Sequence, residues 1–367
     1  MKIIIDARML FWTGIGRYTR ALLDELQVLD TANEYLVLVR RADWALFEPS
    51  VANFKKVECS INPYTLSEQW ALYLQLKALK PDLVHFTAPN APLLYRGTRV
   101  VTVHDLTLLD YDTSRGSGFR KVLRGLKRLP FRLVLANDAR FATALITATD
   151  FVHDQLIERL GAPSKRVYTT LLAADPNIAG PASIDRFGQL GQYIFYIGNM
   201  YPYKNISSTI SALGELKSHP TLQLVIAGKR DSFSAQLEAL AHQLGVGDRV
   251  KFIGYVSDGE MVSLYRTAAL YVNPSLSEGF GLQGLEAMSH GAPVVAARAS
   301  CLPEVYGDAA EYFDPYDALD QARAIALVLD DAVVRKRLSA AGTERVKTFS
   351  WKKMATETLA VYRSAGQ

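Results

Sequence analysis

The sequence predicts an α/β protein with two doubly wound parallel-sheet domains in tandem. Short apolar runs alternate with helical patterns along the whole chain, which is the pattern of parallel strands covered by helices. The 367 residues, of which 49% are hydrophobic and 21% charged, are enough for two hydrophobic cores. A stretch punctuated by proline and glycine, residues 175–192, interrupts the pattern and predicts the boundary between the domains.

Ten apolar runs supply the predicted strands, five in each half of the chain. In the first half they span residues 2–6, 35–39, 83–86, 100–104 and 145–147. In the second half they span residues 193–197, 222–227, 250–253, 270–272 and 293–296. Helical patterns lie between them, as over residues 17–29 and 285–289. We predict an N-terminal domain over 1–178, a C-terminal domain over 190–349, and a last helix, about 350–367, that packs back on the first domain.

The composition favours a cytoplasmic globular protein. No run of eighteen apolar residues is present, and residues 1–6 have the pattern of a strand rather than of a signal peptide. Cys59 and Cys301 are far apart and lie in neither a CxxC motif nor a histidine cluster, so we interpret them as reduced packing residues. The formal net charge of +4 is small for the whole chain, but the basic residues are unevenly distributed.

The most informative motif is EGFGLQGLE, which places Glu278 and Glu286 across a glycine-rich turn. An apolar strand pattern precedes the turn and a helix pattern follows it, so backbone N–H groups at the helix start suit hydroxyls, phosphates or a developing oxyanion. Two carboxylates beside such amides can accept hydrogen bonds from the hydroxyls of a sugar or ribose. The alternative is that both are ordinary acids at the start of a helix.

Basic residues follow the first two predicted strands of the second half. Lys204 lies near a helix start, after Asn199, where it can hold a diphosphate as a point charge. Lys229 and Arg230 follow the next strand and add two cations at the same predicted edge. Together they would stabilise an anionic leaving group, although each alone is more often an exposed surface residue.

The first half offers a histidine and a glycine turn after its strands. His104 can orient a donor or acceptor hydroxyl, unless a backbone carbonyl satisfies its ring. Gly14 and Gly16 open the first helix, but the third glycine of GxGxxG is missing and no acid closes the second strand, which argues against NAD. Arg40 and Arg41 keep an NADP enzyme as a minor alternative.

The chain resembles the family 4, group 1 glycosyltransferases, which are retaining enzymes of the GT-B type and include mannosyltransferases. The resemblance runs almost end to end. It rests on KIIIDARML, TGIGRYTR, VVTVHDLTLLDY, FYIGNMYPYKN, LVIAGKR, VKFIGYVSDGEMVSLYRTAALYVNPSLSEGFGLQGLEAMSHGAPVVAA and LPEVYGDAAEYFDP. It implies two Rossmann-like domains facing across a cleft, with acceptor binding on the first and nucleotide-sugar binding on the second.

The resemblance also implies roles for individual residues. His104 would lie by the sugar and the acceptor, Lys204 would bind the diphosphate, and Glu286 would hold the nucleotide ribose. Glu278 would face the donor sugar, whose hydroxyls would contact the amides of Gly279, Phe280 and Gly281. Gly14 and Gly16 would shape the N-terminal wall of the cleft, and the base would lie near Tyr255 and Val256.

Two positions depart from the family pattern. Tyr203 stands where many relatives have a phosphate-binding arginine, and Asn199 does not replace that charge, so Lys229 or Arg230 would have to compensate. Gln283 and Gly284 stand where relatives often have two prolines, which bears on the start of the helix that carries Glu286.

The implied reaction is front-side transfer of a hexose without a metal or other cofactor, in which catalysis is mostly positioning and charge stabilisation. The favoured donor is GDP-mannose, with a UDP-sugar as the alternative. The expected acceptor is a glycan or a polyprenyl-linked glycan in bacterial surface polysaccharide synthesis, such as lipopolysaccharide. A nucleotide-sugar epimerase and a non-catalytic sugar-binding protein are the alternatives from other classes.

Residues 115–132 contain seven basic residues and no acid, and apolar residues recur at helical spacing between them. This pattern suits an anionic membrane surface, so peripheral attachment to the inner face of the membrane is a further expectation. A basic helix that packs its apolar stripe inward is the alternative. No nucleic-acid-binding motif is present, and we expect no nucleic-acid partner.

Overall fold

The computed structural model describes residues 1–12, 14–111, 119–175 and 178–366, and in the helix that begins at Phe119 it describes side chains from residue 129 onward. The described chain forms two compact units. The first unit comprises Met1–Leu109, Val122–Leu172 and Ser350–Gln367, and the second comprises Asp110–Lys121 and Ala173–Phe349. Most of the side chains in the predicted membrane segment 115–132 lie outside the described residues, as does Thr13 of the first glycine turn.

A parallel sheet of seven strands forms the first unit. The strands are β1 (Lys2–Asp6), β2 (Glu34–Val39), β3 (Phe54–Glu58), β4 (Leu83–Phe86), β5 (Arg99–Val103), β6 (Ala144–Thr147) and β7 (Val167–Thr169). Their order in the sheet is β3-β2-β1-β4-β5-β6-β7, so the winding direction reverses between β1 and β4. In a doubly wound sheet, ligands bind beyond the carboxyl ends of the strands beside this reversal.

A parallel sheet of six strands forms the second unit. The strands are β8 (Tyr193–Ile197), β9 (Gln223–Ala227), β10 (Val250–Gly254), β11 (Leu270–Asn273), β12 (Val294–Ala297) and β13 (Ala310–Phe313). Their order is β10-β9-β8-β11-β12-β13, so the winding reverses between β8 and β11. The loops after these two strands carry the predicted lysine and the predicted glutamate.

Helices connect the strands of both sheets. In the first half of the chain they are α1 (Gly14–Leu29), α2 (Leu66–Leu79), α3 (Thr107–Asp110), α4 (Phe119–Phe141) and α5 (Asp150–Leu160). In the second half they are α6 (Ile206–Glu215), α7 (Ser232–Gln243), α8 (Asp258–Thr267), α9 (Leu282–Ser289), α10 (Leu302–Tyr306), α11 (Ala318–Asp330), α12 (Ala332–Val346) and α13 (Trp351–Ala365).

The last helix, α13, belongs to the first unit and packs against α1. Its Tyr362 hydroxyl lies 2.6 Å from Nδ1 of His85 on β4, and both side chains are fully buried. The other ring nitrogen of His85 lies 2.8 Å from Thr102 Oγ1 on β5, and Tyr18 of α1 hydrogen-bonds the same hydroxyl at 3.0 Å. A buried polar chain therefore fixes α1 and α13 to the sheet.

The α/β class with two Rossmann-like parallel sheets is confirmed, and each of the ten predicted strands is present with its ends within one residue of the expected ones. His104 directly follows Val103, the last residue of β5, whereas the predicted strand range ran to residue 104. Helix α9 begins at Leu282 rather than at 285, because Gly281 adopts a left-handed conformation and starts the helix early. The sequence analysis missed β3, β7 and β13, which are edge strands and lack a continuous apolar run.

Candidate active site

Lys204 and Glu278 meet at the switch point of the second sheet. Lys204 Nζ lies 2.6 Å from Glu278 Oε1, and each side chain is 12% exposed. Ser275 Oγ donates a hydrogen bond to the same carboxylate oxygen over 2.8 Å. Lys204 follows β8 and Glu278 follows β11, so the two central strands of the sheet bring together a cation and a carboxylate that stand 74 positions apart.

Backbone contacts hold the loop that carries Glu278. The amide of Leu276 donates to the carbonyl of Tyr203 over 2.8 Å, which fastens the loop to the turn of Lys204. The amide of Glu278 donates to Ser300 Oγ over 3.1 Å, and Cys301 Sγ donates to the Glu278 carbonyl over 3.2 Å. Cys59 and Cys301 are buried free thiols, as the sequence predicted.

The glycines after Glu278 allow α9 to begin close to the ring of Tyr306. Gly281 has φ of +81°, and its carbonyl accepts a 2.5 Å hydrogen bond from the Tyr306 hydroxyl. Asn273 at the end of β11 donates to the same hydroxyl over 3.0 Å. A Cβ on Gly284 would lie 2.3 Å from the phenol ring of Tyr306, so this helix start requires glycine at position 284.

Glu286 lies inside α9 and is buried. The Tyr265 hydroxyl lies 3.5 Å from Glu286 Oε2 and donates to the Gln283 carbonyl over 3.2 Å. Gly279 and buried Phe280 occupy the turn between Glu278 and α9. The turn therefore carries one carboxylate held by a lysine and a second carboxylate beside a tyrosine hydroxyl.

The other predicted cations, Lys229 and Arg230, follow β9, whereas Lys204 follows β8. Lys229 is exposed, and Arg230 pairs with Glu238 of α7 and donates to the Phe252 carbonyl over 3.0 Å. The backbone at these strand ends is nevertheless tightly packed, since a Cβ on Gly228 would lie 2.1 Å from the Gly198 carbonyl oxygen. Asn199 is exposed, and its carbonyl accepts a 2.8 Å hydrogen bond from Tyr196.

Tyr255 and Val256, predicted near the base, form the loop between β10 and α8. Tyr255 is 81% exposed whereas Val256 is buried. Arg186 donates to the Tyr255 carbonyl over 2.8 Å and also to Glu260, which closes a capping box with Ser257 at the start of α8. The hydrogen bonds from Arg186 and from the Ser257 amide lower the pKa of Glu260 to about 2. Arg186 therefore fixes the backbone of this loop.

In the first unit, His104 follows β5 and is half-buried. Its Nε2 donates a 2.9 Å hydrogen bond to the Thr87 carbonyl, as the alternative interpretation of this histidine required. Burial lowers the pKa of His104, so the ring is neutral at pH 7. With Nε2 protonated, Nδ1 is an acceptor, and no described residue forms a hydrogen bond with it.

Gly14 and Gly16 lie at the start of α1. A Cβ on Gly16 would lie 2.4 Å from the Leu10 carbonyl oxygen, so Gly16 permits the turn after β1 to fold against the helix. A Cβ on Gly14 would meet nothing within 4 Å. Packing therefore requires a glycine at position 16, whereas no contact in this structure requires one at position 14.

Comparisons with known proteins identify the family. Residues 12–176 match the family described as Glycosyltransferase Family 4, and residues 187–345 match the one described as Glycosyl transferases group 1. The O-antigen chain mannosyltransferase B of Escherichia coli is 30% identical over 390 residues, covering 99% of this chain and 100% of that protein. The chain belongs to the family 4, group 1 glycosyltransferases.

Similarity to other proteins supports this assignment. The phosphatidyl-myo-inositol mannosyltransferase of Mycobacterium leprae is 26% identical to this glycosyltransferase, over 77% of the chain and 73% of that protein. Anabaena HepE, solved in complex with UDP and glucose, superposes with a TM-score of 0.73 over 99% of this chain and 100% of its own, at 19% sequence identity. That likeness shows the fold, which is of the GT-B type.

The described residues also bear on metal binding and on membrane spanning. Among the described residues of this glycosyltransferase, no three His, Cys, Asp or Glu side chains are grouped as metal ligands would be. Metal independence stays a prediction. Within the same part of the chain, no helix combines the length and the apolar character needed to cross a bilayer.

Sequence reasoning missed the side chains that support the site. Ser275, Ser300 and Tyr306 orient the glutamate loop, and Arg186 fixes the loop of Tyr255. Ser300, Tyr306 and Arg186 act through long-range contacts that no local motif marks, whereas Ser275 lies only three residues before Glu278. Asp6 ends the buried strand β1 and Arg8 follows two positions later, and this spacing was a usable signal because buried charged residues need partners.

Proposed function

We propose that this glycosyltransferase transfers a hexose, most plausibly mannose from GDP-mannose, to a glycan or polyprenyl-linked acceptor in bacterial surface polysaccharide synthesis. The observation that carries the proposal is the Lys204–Glu278 pair on the glycine loop at the sheet switch point. The full-length similarity to an O-antigen chain mannosyltransferase supports mannose as the sugar and a surface polysaccharide as the product.

The chemistry follows from the positions of these side chains. Lys204 would neutralise the diphosphate, and its charge would stabilise the leaving group as the glycosidic bond to phosphate breaks. Glu278, oriented by Ser275, would accept hydrogen bonds from the donor-sugar hydroxyls. Glu286 would hold the ribose. Attack by the acceptor hydroxyl from the side of the departing phosphate would retain the anomeric configuration, and the phosphate would take the proton.

The identities of the nucleotide base and of the sugar are the more specific part of the proposal. Exposed Tyr255, whose backbone Arg186 fixes, offers an aromatic face beside which a base can lie. Such a face accepts guanine and uracil alike. A UDP-sugar donor is therefore the second candidate, and the complex of HepE with UDP and glucose favours it.

A thermal-unfolding panel with GDP, UDP, ADP and NADP, each with and without EDTA, tests the donor class. A nucleotide at a hundred times its Kd adds about 2.7 kcal/mol, which is a shift of several degrees. Stabilisation by GDP in EDTA supports the proposal, and stabilisation by UDP alone moves the donor to UDP-sugars. Stabilisation by NADP alone contradicts a transferase.

Product analysis separates the proposal from the other classes. A nucleotide-sugar epimerase would convert GDP-mannose to another GDP-sugar without an acceptor. A non-catalytic binding protein would leave GDP-mannose intact. A retaining transferase would release GDP and form an α-mannoside only when an acceptor is present.

Peripheral attachment to an anionic membrane is part of the proposal. Leu66, Trp70 and Leu74 are exposed at four-residue spacing on α2, so they form an apolar stripe on one face of the helix. This stripe and the basic segment 115–132 lie in the N-terminal half of the chain and together suit a bilayer surface.

Vesicle flotation tests this attachment. Vesicles containing phosphatidylglycerol should retain the wild type at low salt and lose a triple variant with serine at Leu66, Trp70 and Leu74. Val28→Ser, which changes an exposed residue on α1, is the matched control and should still float. Equal flotation of the triple variant and the control contradicts contact through α2.

A further inference from the structure

Two exposed aromatic side chains lie together in the first unit. Trp12 is 38% exposed and Tyr64 is 46% exposed, and their ring centroids are 6.3 Å apart. The ring centroid of Phe131 of α4 also lies 6.3 Å from that of Tyr64. The ring planes are tilted by 40° in the first pair and by 60° in the second, so neither pair is a parallel stack.

Both exposed rings lie at the ligand-binding edge of the first sheet. Trp12 follows β1 and Tyr64 follows β3, and these strands run parallel with only β2 between them. The carboxyl ends of parallel strands share one edge, which is where doubly wound sheets bind ligands. The aromatic pair therefore lies at the edge that also carries His104, after β5.

The backbone of Tyr64 adopts an unfavourable conformation. Its φ is +60°, in the left-handed region that a bulky side chain rarely occupies. Its amide donates a 2.7 Å hydrogen bond to Glu68 Oε2, which holds it in that conformation. Such strain persists only where the surroundings impose it, and it occurs preferentially at ligand sites.

A buried network of charged residues imposes this geometry. Arg8 donates to Asp6 Oδ2 and to Glu68 Oε1, each over 2.6 Å, and to the Ile61 carbonyl over 3.0 Å. Asn90 donates to the same carboxylates over 2.9 and 3.1 Å. Buried ion pairs contribute little net stability, since the desolvation of the charges offsets their attraction. The network holds the loop of Tyr64 through Glu68, which accepts the hydrogen bond from the Tyr64 amide.

The same network reaches His104. Thr87 Oγ1 donates to the Asp6 carbonyl over 2.8 Å, and the Thr87 carbonyl accepts the hydrogen bond from His104 Nε2 over 2.9 Å. Asn90 is almost fully buried, and its Oδ1 has no hydrogen-bond partner in the described part of the chain. The chain of contacts thus links the aromatic pair to His104, for which the family resemblance implies a place beside the acceptor.

The chemistry of this surface favours a neutral hydroxylated ligand. Arg8 directs its donors to two carboxylates and a carbonyl, so this arginine does not recruit an anion. Aromatic faces take the C–H-rich face of a pyranose, and carboxylate and amide oxygens accept hydrogen bonds from its hydroxyls. We propose that Trp12 and Tyr64 form an acceptor-sugar subsite that stacks a pyranose ring. The proposal rests on the proposed function and adds the acceptor class and its residues.

Titration of wild type and variants with α-mannotriose tests the subsite, with binding followed by saturation-transfer NMR in the presence and absence of GDP. Trp12→Ala and Tyr64→Gly should each weaken binding by about tenfold or more, because each removes a stacking ring. Glycine at residue 64 accepts the φ of +60°, so this variant removes the ring without adding backbone strain. Tyr64→Phe keeps the ring and should retain binding.

Trp44→Ala is the matched control, since Trp44 is an exposed tryptophan of the same unit outside the aromatic pair, and it should bind mannotriose as the wild type does. Equal binding by Trp12→Ala and the wild type overturns the subsite. Absence of mannotriose binding by the wild type also overturns it.

The NMR titration separates this proposal from the donor proposal. If GDP and UDP fail to stabilise the wild type while mannotriose binds through Trp12, the proposed donor fails and the subsite stands. If Trp12→Ala and Trp70→Ala both lose vesicle binding and neither loses mannotriose binding, Trp12 contacts lipid and the subsite is overturned.

Discussion

Lys204 Nζ and Glu278 Oε1 lie 2.6 Å apart, in a pair that is largely shielded from solvent within the second unit. The two residues come from the strands on either side of the sheet reversal, so the topology alone places them at the ligand edge. Ser275 and the backbone contacts of Leu276 and Glu278 restrict the pair further. The proposed function depends on this pair.

Lys204→Ala should lower kcat/KM for sugar transfer by about 10²- to 10³-fold, because it removes the charge that stabilises the departing diphosphate. Steady-state kinetics with the nucleotide-sugar identified in the thermal panel measure the effect. Lys217→Ala removes an exposed lysine of the same unit and is the control. Near wild-type kcat/KM for Lys204→Ala excludes Lys204 from the diphosphate site.

Arg186→Ala should raise the KM for the nucleotide-sugar severalfold while leaving kcat close to the wild-type value. Arg186 acts through the Tyr255 carbonyl and Glu260, so its loss loosens the loop near the proposed base site without touching the reacting atoms. Arg323→Ala, which breaks an exposed ion pair with Asp320, serves as the control. A fall in kcat at unchanged KM would contradict a positioning role.

Gly284→Ala should destabilise the second unit by about 1–3 kcal/mol, since the added Cβ would lie 2.3 Å from the Tyr306 ring. Chemical unfolding measures the change. Gly191→Ala, where a Cβ meets nothing within 4 Å, should be close to neutral. If Gly284→Ala is as stable as Gly191→Ala, α9 does not pack as tightly against Tyr306 as this structure shows.

The first unit should lose stability as the pH falls below about 6.5. Burial lowers the pKa of His85 to about 3, so between that value and the unfolded pKa near 6.5 the unfolded chain binds one more proton than the folded chain. Protonation of His85 in the unfolded chain then lowers the free energy of unfolding by up to about 1.4 kcal/mol for each pH unit of acidification.

Urea unfolding of wild type and His85→Gln between pH 7 and pH 4.5 checks this dependence. The variant should show a shallower decline, because it removes the group that titrates. His153→Gln replaces a more exposed histidine and should follow the wild type. Identical slopes for wild type and His85→Gln would show that His85 is not held neutral in the folded state.

The fold was largely predictable from the sequence because most strands of a doubly wound sheet are buried on both faces. Runs such as Ile3, Ile4 and Ile5 are fully buried and read as continuous apolar segments. Edge strands are different, since one side faces solvent. In the β3 sequence FKKVE only Phe54 is fully buried, and the strand carries two lysines, so no apolar run marks it.

The candidate site was predictable only where its residues follow strands or belong to a motif. Lys204 and Glu278 were found in this way, and the structure pairs them. Arg230 was placed with Lys204 because both follow neighbouring strands, but its side chain turns to Glu238 and Phe252. Side-chain direction and long-range partners such as Tyr306 depend on tertiary packing, which a single sequence does not encode locally.

The most direct test of the account is to incubate the wild type and Lys204→Ala with GDP-mannose, α-mannotriose and EDTA, and to follow GDP release and the anomeric proton by NMR. The account predicts GDP release with formation of a new α-mannoside by the wild type, and loss of both in the variant. Equal turnover by Lys204→Ala, or formation of a β-mannoside, would contradict it.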